Sequence, residues 1–109
     1  MANFRKARTF VLNGEQYHFS ADELNSPVIV ICYNRAKQFQ RRGKAIDFFA
    51  QAMTACDPLS SEFCRYATIL VSLLACKSDD IVIDRTLAYD EDQGAFIAEM
   101  LSHVQYVNN

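Results

Sequence analysis

The sequence predicts a mainly α (α+β) domain: a small bundle of three to four helices with an N-terminal β-hairpin packed on it. Three observations carry this expectation. "TFVLNGEQYHF", residues 9–19, places a turn pair between runs of β-branched and aromatic residues. Apolar residues recur at helical spacing from Val28 to Cys56, and almost every position from Phe63 to Cys76 is apolar. With half of its 109 residues hydrophobic and only 3 Gly and 2 Pro, the chain suits one compact domain spanning 1–109 and not a low-complexity chain.

The elements follow in order. Asn13-Gly14 is the favoured pair for a type I′ turn, because both central residues need positive φ, so 9–19 reads as a hairpin. Two strands alone are marginal in water, so the hairpin must lie on a helix or pair with another strand. "SADE", residues 20–23, fits a capping box, and Ser26-Pro27 offers a second helix start. "VIVICY" has strand propensity, yet Val28, Ile31, Cys32, Ala36 and Phe39 fall at helical spacing. That stripe continues through Gly43, Ile46, Phe49 or Ala50, Met53 and Cys56, which predicts a helix over about 27–56, kinked or broken at Gly43.

Asp57-Pro58 ends this helix and starts the next, about 58–77, with Asp57 as N-cap and Pro58 as first residue. Apolar around most of its circumference, that helix belongs at the centre of a bundle. Ile81–Ile83 reads as a short strand beside the hairpin or as a helical turn plugging the core. A last helix spans about 92–107, with Phe96, Ile97, Met100, Leu101 and Val104 on one face and the acids at 90–92 complementing its N-terminal dipole.

Composition and motifs bound the chemistry. Cys32, Cys56, Cys64 and Cys76 form no CxxC pair, so they read as reduced, buried thiols and not as zinc ligands or a disulfide framework. "MANFRKARTF" has no apolar core after its charges. The longest apolar stretch, 63–76, carries Arg65 and falls short of the roughly 20 residues a membrane span needs. A soluble, cytoplasmic protein without membrane contact is expected. Glycines at 14, 43 and 94 write no P-loop or dinucleotide fingerprint. His18 and His103 lack the context of a nucleophilic site, and the acids at 90–92 lack the glycine and bidentate glutamate positions of a calcium loop. No catalytic residue, metal or cofactor is expected, and the chain reads as a non-enzyme.

Charge is divided along the chain. Residues 1–46 hold eight of the eleven Lys/Arg against three acids, a net of +5, whereas 47–109 hold three cations against ten acids, a net of −7. Arg35, Lys37, Arg41, Arg42 and Lys44 lie within ten residues, and on a helix Lys37, Arg41 and Lys44 share a face. With Arg5, Lys6 and Arg8 they suit phosphate contacts. The sequence pI of about 5.6 and the absence of a nucleic-acid-binding signature favour a simpler reading, a solvated or partner-facing helix face. Phe48 and Phe49 point about 100° apart on a helix, so one of them reaches an edge. With Tyr66, Tyr89 and Tyr106 they exceed the needs of one small core, and edge aromatics anchor protein interfaces.

Asp84, Asp90, Glu91 and Asp92 form an acidic docking patch for the basic helix of another subunit or partner. The expected function is a non-catalytic protein–protein interaction module, homo-oligomeric or docked on a partner. The alternative is nucleic-acid or polyanion binding through residues 35–44. The layout of an "LNGEQY" hairpin followed by helices resembles that of small phage-encoded proteins, tail assembly chaperones among them. That resemblance covers only the N-terminal segment and transfers neither residues nor function. A phage or mobile-element accessory protein, an inhibitor or assembly factor in the host cytoplasm, belongs with the interaction-module expectation, since such proteins are often this short.

Overall fold

Residues 28–39 depart most from the expected bundle. In the computed structural model, which describes residues 3–33, 35–84 and 93–107, they form two antiparallel strands and not the first turns of a long helix. The described elements are β1 (Arg8–Leu12), β2 (Glu15–Phe19), α1 (Ala21–Leu24), β3 (Val28–Cys32), β4 (Arg35–Phe39), α2 (Arg42–Thr54), α3 (Ser61–Ala75), β5 (Ile81–Ile83), α4 (Gln93–Ser102) and β6 (Gln105–Tyr106). A helical bundle with one hairpin is therefore not the fold. Among the described residues, four helices accompany a two-stranded and a four-stranded sheet.

The physical reason lies in "VIVIC". Where every position is apolar, helical and strand periods match equally well. The four consecutive β-branched residues then tip the balance, since their χ1 freedom is lost against a helical turn. Two residues join β3 to β4, and the first, Tyr33, has φ 53°, the positive value a tight hairpin turn demands. The helix expected over 27–56 is thus a hairpin followed by α2.

The large sheet has strand order β5-β3-β4-β6. β3 and β4 run antiparallel, with Val28 opposite Phe39 and Cys32 opposite Arg35. β5 runs parallel to β3, so Ile81–Ile83 is a strand of this sheet and does not lie beside the hairpin. The last expected helix, 92–107, ends earlier: α4 stops at Ser102, and β6 joins β4 in parallel. Val28, Val30 and Phe39 alternate onto the face that packs against Ala45, Ile46 and Phe49 of α2 and Ile69 and Leu73 of α3. Ile31 and Ala36 alternate onto the opposite face and are buried too, and α4 contacts β4, so the sheet has cover on both faces there.

Local signals explain the remaining joints. Asn13 and Gly14 have φ 52° and 81°, the I′ turn expected of the first hairpin. The capping box forms: Glu23 N–H donates to Ser20 Oγ at 3.1 Å, and Ser20 N–H donates to Glu23 Oε1 at 2.8 Å. Ser60, not Asp57, caps α3 by accepting from Phe63 N–H at 3.2 Å. Asp57 instead tightens the preceding turn, accepting from Leu59 N–H at 2.9 Å.

Gly43 kinks nothing. It lies buried in the first turn of α2, where a Cβ would sit 2.5 Å from the Phe4 ring. Its lack of a side chain seats the N-terminal arm, which is held by a reciprocal pair of bonds between the Phe4 backbone and the Asn25 side chain, at 2.9 and 2.8 Å. No helix among the described residues is long and apolar enough to cross a membrane.

Candidate functional site

The β3–β4 hairpin tip, α2 and the start of α3 meet along a line of five aromatic rings. Tyr33 at the tip meets Tyr66 of α3 at 6.1 Å between centroids, Tyr66 meets Phe49 of α2 at 6.1 Å, and Phe49 meets Phe48 at 5.1 Å. Phe39 of β4 closes the line against Phe48 at 5.5 Å. Most of these are edge-on contacts, the geometry ring quadrupoles favour. Phe39 and Phe49 belong to the core, whereas Tyr33 is 43% and Phe48 39% exposed.

Each exposed ring carries a cation on its face. The Arg65 guanidinium lies 4.2 Å from the Tyr33 centroid, and Lys37 Nζ lies 5.4 Å from that of Phe48. Strand alternation puts Arg35 on the same face of β4 as Lys37, and Arg35 is exposed. Neither Arg35 nor Lys37 has an ion-pair partner among the described residues. Behind the rings, Asp84 directly follows β5 and donates its N–H to Ile31 O of β3 at 2.9 Å. Its carboxylate is wholly buried and pairs with Arg65 Nε at 3.2 Å, which fixes the guanidinium over Tyr33.

This placement revises the site expected from sequence. Arg35, Lys37 and Phe48 come together, but as a strand-to-helix contact and not as one helix face. Lys44 turns to the N-terminal arm, 5.7 Å from the Phe4 centroid. Arg41 and Arg42 are corrections, because both are buried and neither is a surface grip. Arg41 Nε donates to Asn3 Oδ1 at 2.9 Å, and Arg42 donates to the carbonyls of Leu73 and Asp79. Asp84 is likewise no part of an acidic docking patch, since it faces inward to Arg65. Asp90, Glu91 and Asp92 lie outside the described residues. Tyr33 and Arg65 went unread in the sequence because each lies far along the chain from the rings it joins. The one available signal was the surplus of aromatics, Tyr66 included.

Beside the Arg65–Asp84 ion pair, two groups, Cys32 and Tyr66, are held neutral. Burial pushes the Cys32 thiol from its ordinary 9.0 up to about 11, and the neighbouring Asp84 charge adds to the rise. Burial, with a hydrogen bond to Tyr33, pushes Tyr66 up to about 12. Both folded values lie above the unfolded ones, so the stability they contribute is complete below pH 9 and is lost as pH rises towards 11 to 12. Urea midpoints should fall across that window, and Cys32→Ala should flatten the fall by up to about 3 kcal/mol. The same burial predicts that an aromatic disulfide reagent labels exposed Cys64 quickly at pH 7.5 and reaches Cys32 only on unfolding. Rapid labelling of Cys32 in the folded protein would contradict the packing described. Among the described residues, no group of three His, Cys, Asp or Glu is placed to hold a metal ion.

Compared with protein-family models, curated proteins and solved structures, the chain matches none.

Proposed function

We propose that this chain is a non-catalytic docking module that binds an acidic protein segment on the face formed by Tyr33, Arg35, Lys37, Phe48 and Arg65. The observation that carries the reading is the pairing of each exposed ring with a cation: Arg65 over Tyr33 and Lys37 over Phe48. Aromatic anchors with an arginine-rich rim are what protein interfaces concentrate, and unpaired cations beside them select for acids. A nucleic-acid reading draws on the same rings and cations. It loses Arg41 and Arg42, two of its five clustered cations, to the interior. A small accessory role, as inhibitor or assembly factor of a phage or mobile element in the host cytoplasm, suits such a module.

Fluorescence anisotropy with a labelled glutamate- and tyrosine-rich peptide, and with an oligothymidylate, tests the reading. The peptide should bind, and Arg35→Glu/Lys37→Glu should weaken it at least tenfold, about 1.4 kcal/mol, spread over two reversed charges. The oligothymidylate should bind more weakly at moderate salt. Tight, steeply salt-dependent oligonucleotide binding with none to the peptide would replace this reading with the polyanion one.

A further inference from the structure

Between β1 and the two helices α2 and α3 lies a cavity of about 160 Å³. Strand alternation turns Phe10 and Leu12 of β1 towards it, and Leu70 and Leu74, one turn apart on α3, form part of its wall. On α2, Ile46, Ala50 and Met53 follow the spacing i, i+4, i+7 and share one face. Ala50 stands in the middle of that row with a single methyl group. Its shortness leaves the space that a longer side chain would fill.

Neither water nor another chain suits this space. A buried water needs about two to four polar partners. Thr54 brings the one side-chain oxygen or nitrogen among the lining residues, and its hydroxyl already donates to Gln51 O at 3.0 Å. β1, α2 and α3 wall the space themselves, and 160 Å³ holds a small molecule, not a strand or a helix. A way in exists, because Val11 is 66% exposed and Thr54 is exposed, and both line the cavity.

Protein interiors pack as densely as organic crystals, and an apolar void costs stability in proportion to its volume. An apolar cavity of about 150 Å³ lined by Leu, Ile and Phe stays dry and takes up benzene. This cavity matches it in size and lining, and two further features favour a ring over an alkyl chain. Phe10 is set in place by an edge-on contact with Phe19 at 5.6 Å and by the Arg8 guanidinium, 4.6 Å from its centroid. Met53 supplies a polarisable sulfur, which makes favourable contacts with aromatic edges. No lining residue is charged, so an ionised group inside would lack a counter-charge.

We infer that this cavity is a binding site for a small, uncharged aromatic molecule of one ring. It shares no residue with the docking face, so the two readings stand or fall separately.

Methyl spectra of the full chain, recorded as millimolar benzene is added, test the site. Benzene should shift the methyls of Leu12, Ile46, Met53, Leu70 and Leu74 in a saturable way, because the current of a bound ring reaches only its neighbours. Ala50→Leu fills the space from α2, and Thr54→Leu fills it from the exposed rim, where the fold is not at risk. Each should weaken benzene binding at least about tenfold, and Ala50→Leu should melt no lower than the wild type. Absence of a saturable shift overturns the inference, as do shifts spread equally over Val28 and Val30, or full binding by both variants. Decanoate, a long flexible acid, should leave these methyls unmoved. If it shifts them where benzene does not, the site takes an acyl chain and the aromatic class is wrong.

Discussion

Replacing Arg42 by alanine should lower the unfolding free energy by about 3 kcal/mol, seen as a shift in urea midpoint at unchanged slope. The guanidinium is 1% exposed and braces two elements at once. Its Nη1 donates to Leu73 O at 2.9 Å and its Nη2 donates to Asp79 O. Leu73 lies in the last turn of α3, where carbonyls have no partner within the helix, so Arg42 caps α3 from α2. A hydrogen bond to a charged donor contributes roughly 1.5–3 kcal/mol, and two of them exceed the loss from a single packing defect on the surface. Burial opposes this and pulls the Arg42 pKa below its ordinary value, while the charges of Asp79 and Asp80 pull it back. The net falls near the middle of the range. Arg42→Lys should rescue little, because an ammonium cannot fork to both carbonyls. A loss below about 0.5 kcal/mol for Arg42→Ala would show that the brace is not structural.

Arg65→Met should cost about as much, roughly 3 kcal/mol, for a different reason: it removes the guanidinium that pairs with the wholly buried Asp84 carboxylate. Asp84→Asn removes that charge, so the double variant Arg65→Met/Asp84→Asn should be more stable than the sum of the single losses predicts. A coupling of at least about 1 kcal/mol is expected from the double-mutant cycle. Tyr33 should respond as well, because its positive φ is held partly by the stack under Arg65. Additive losses would mean that the two side chains lie near each other without supporting each other.

The fold was legible where local chemistry decides it. Asn13-Gly14 and the Ser20–Glu23 box each act within four residues, and both formed as the sequence implied. Between Val28 and Phe39 the deciding facts are not local. The run satisfies two periods, and its turn uses Tyr33 with no glycine, held by Arg65 and Tyr66 from α3. Gly43 and Arg42 show the same limit. One is small because Phe4 packs on it, and the other is buried because α3 ends beside it. Of the cysteines, Cys32 is buried as a small hydrophobe, but Cys64 faces outward because the line it belongs to on α3 points away from the core. Of the face itself, Lys37 and Phe48 were readable as a cation near an edge aromatic. Arg65 and Tyr33 became part of it only through the β3–β5 pairing that brings Asp84 beside them.

The central claim is that the Tyr33–Phe48 face is where this chain docks an acidic partner. Backbone amide spectra recorded while the glutamate- and tyrosine-rich peptide is added would test it most directly. The account predicts shifts concentrated at residues 33–37, 48 and 65–66, fading in Arg35→Glu/Lys37→Glu. Shifts confined to the basic arm at 5–8, or spread evenly over every exposed cation, would contradict it.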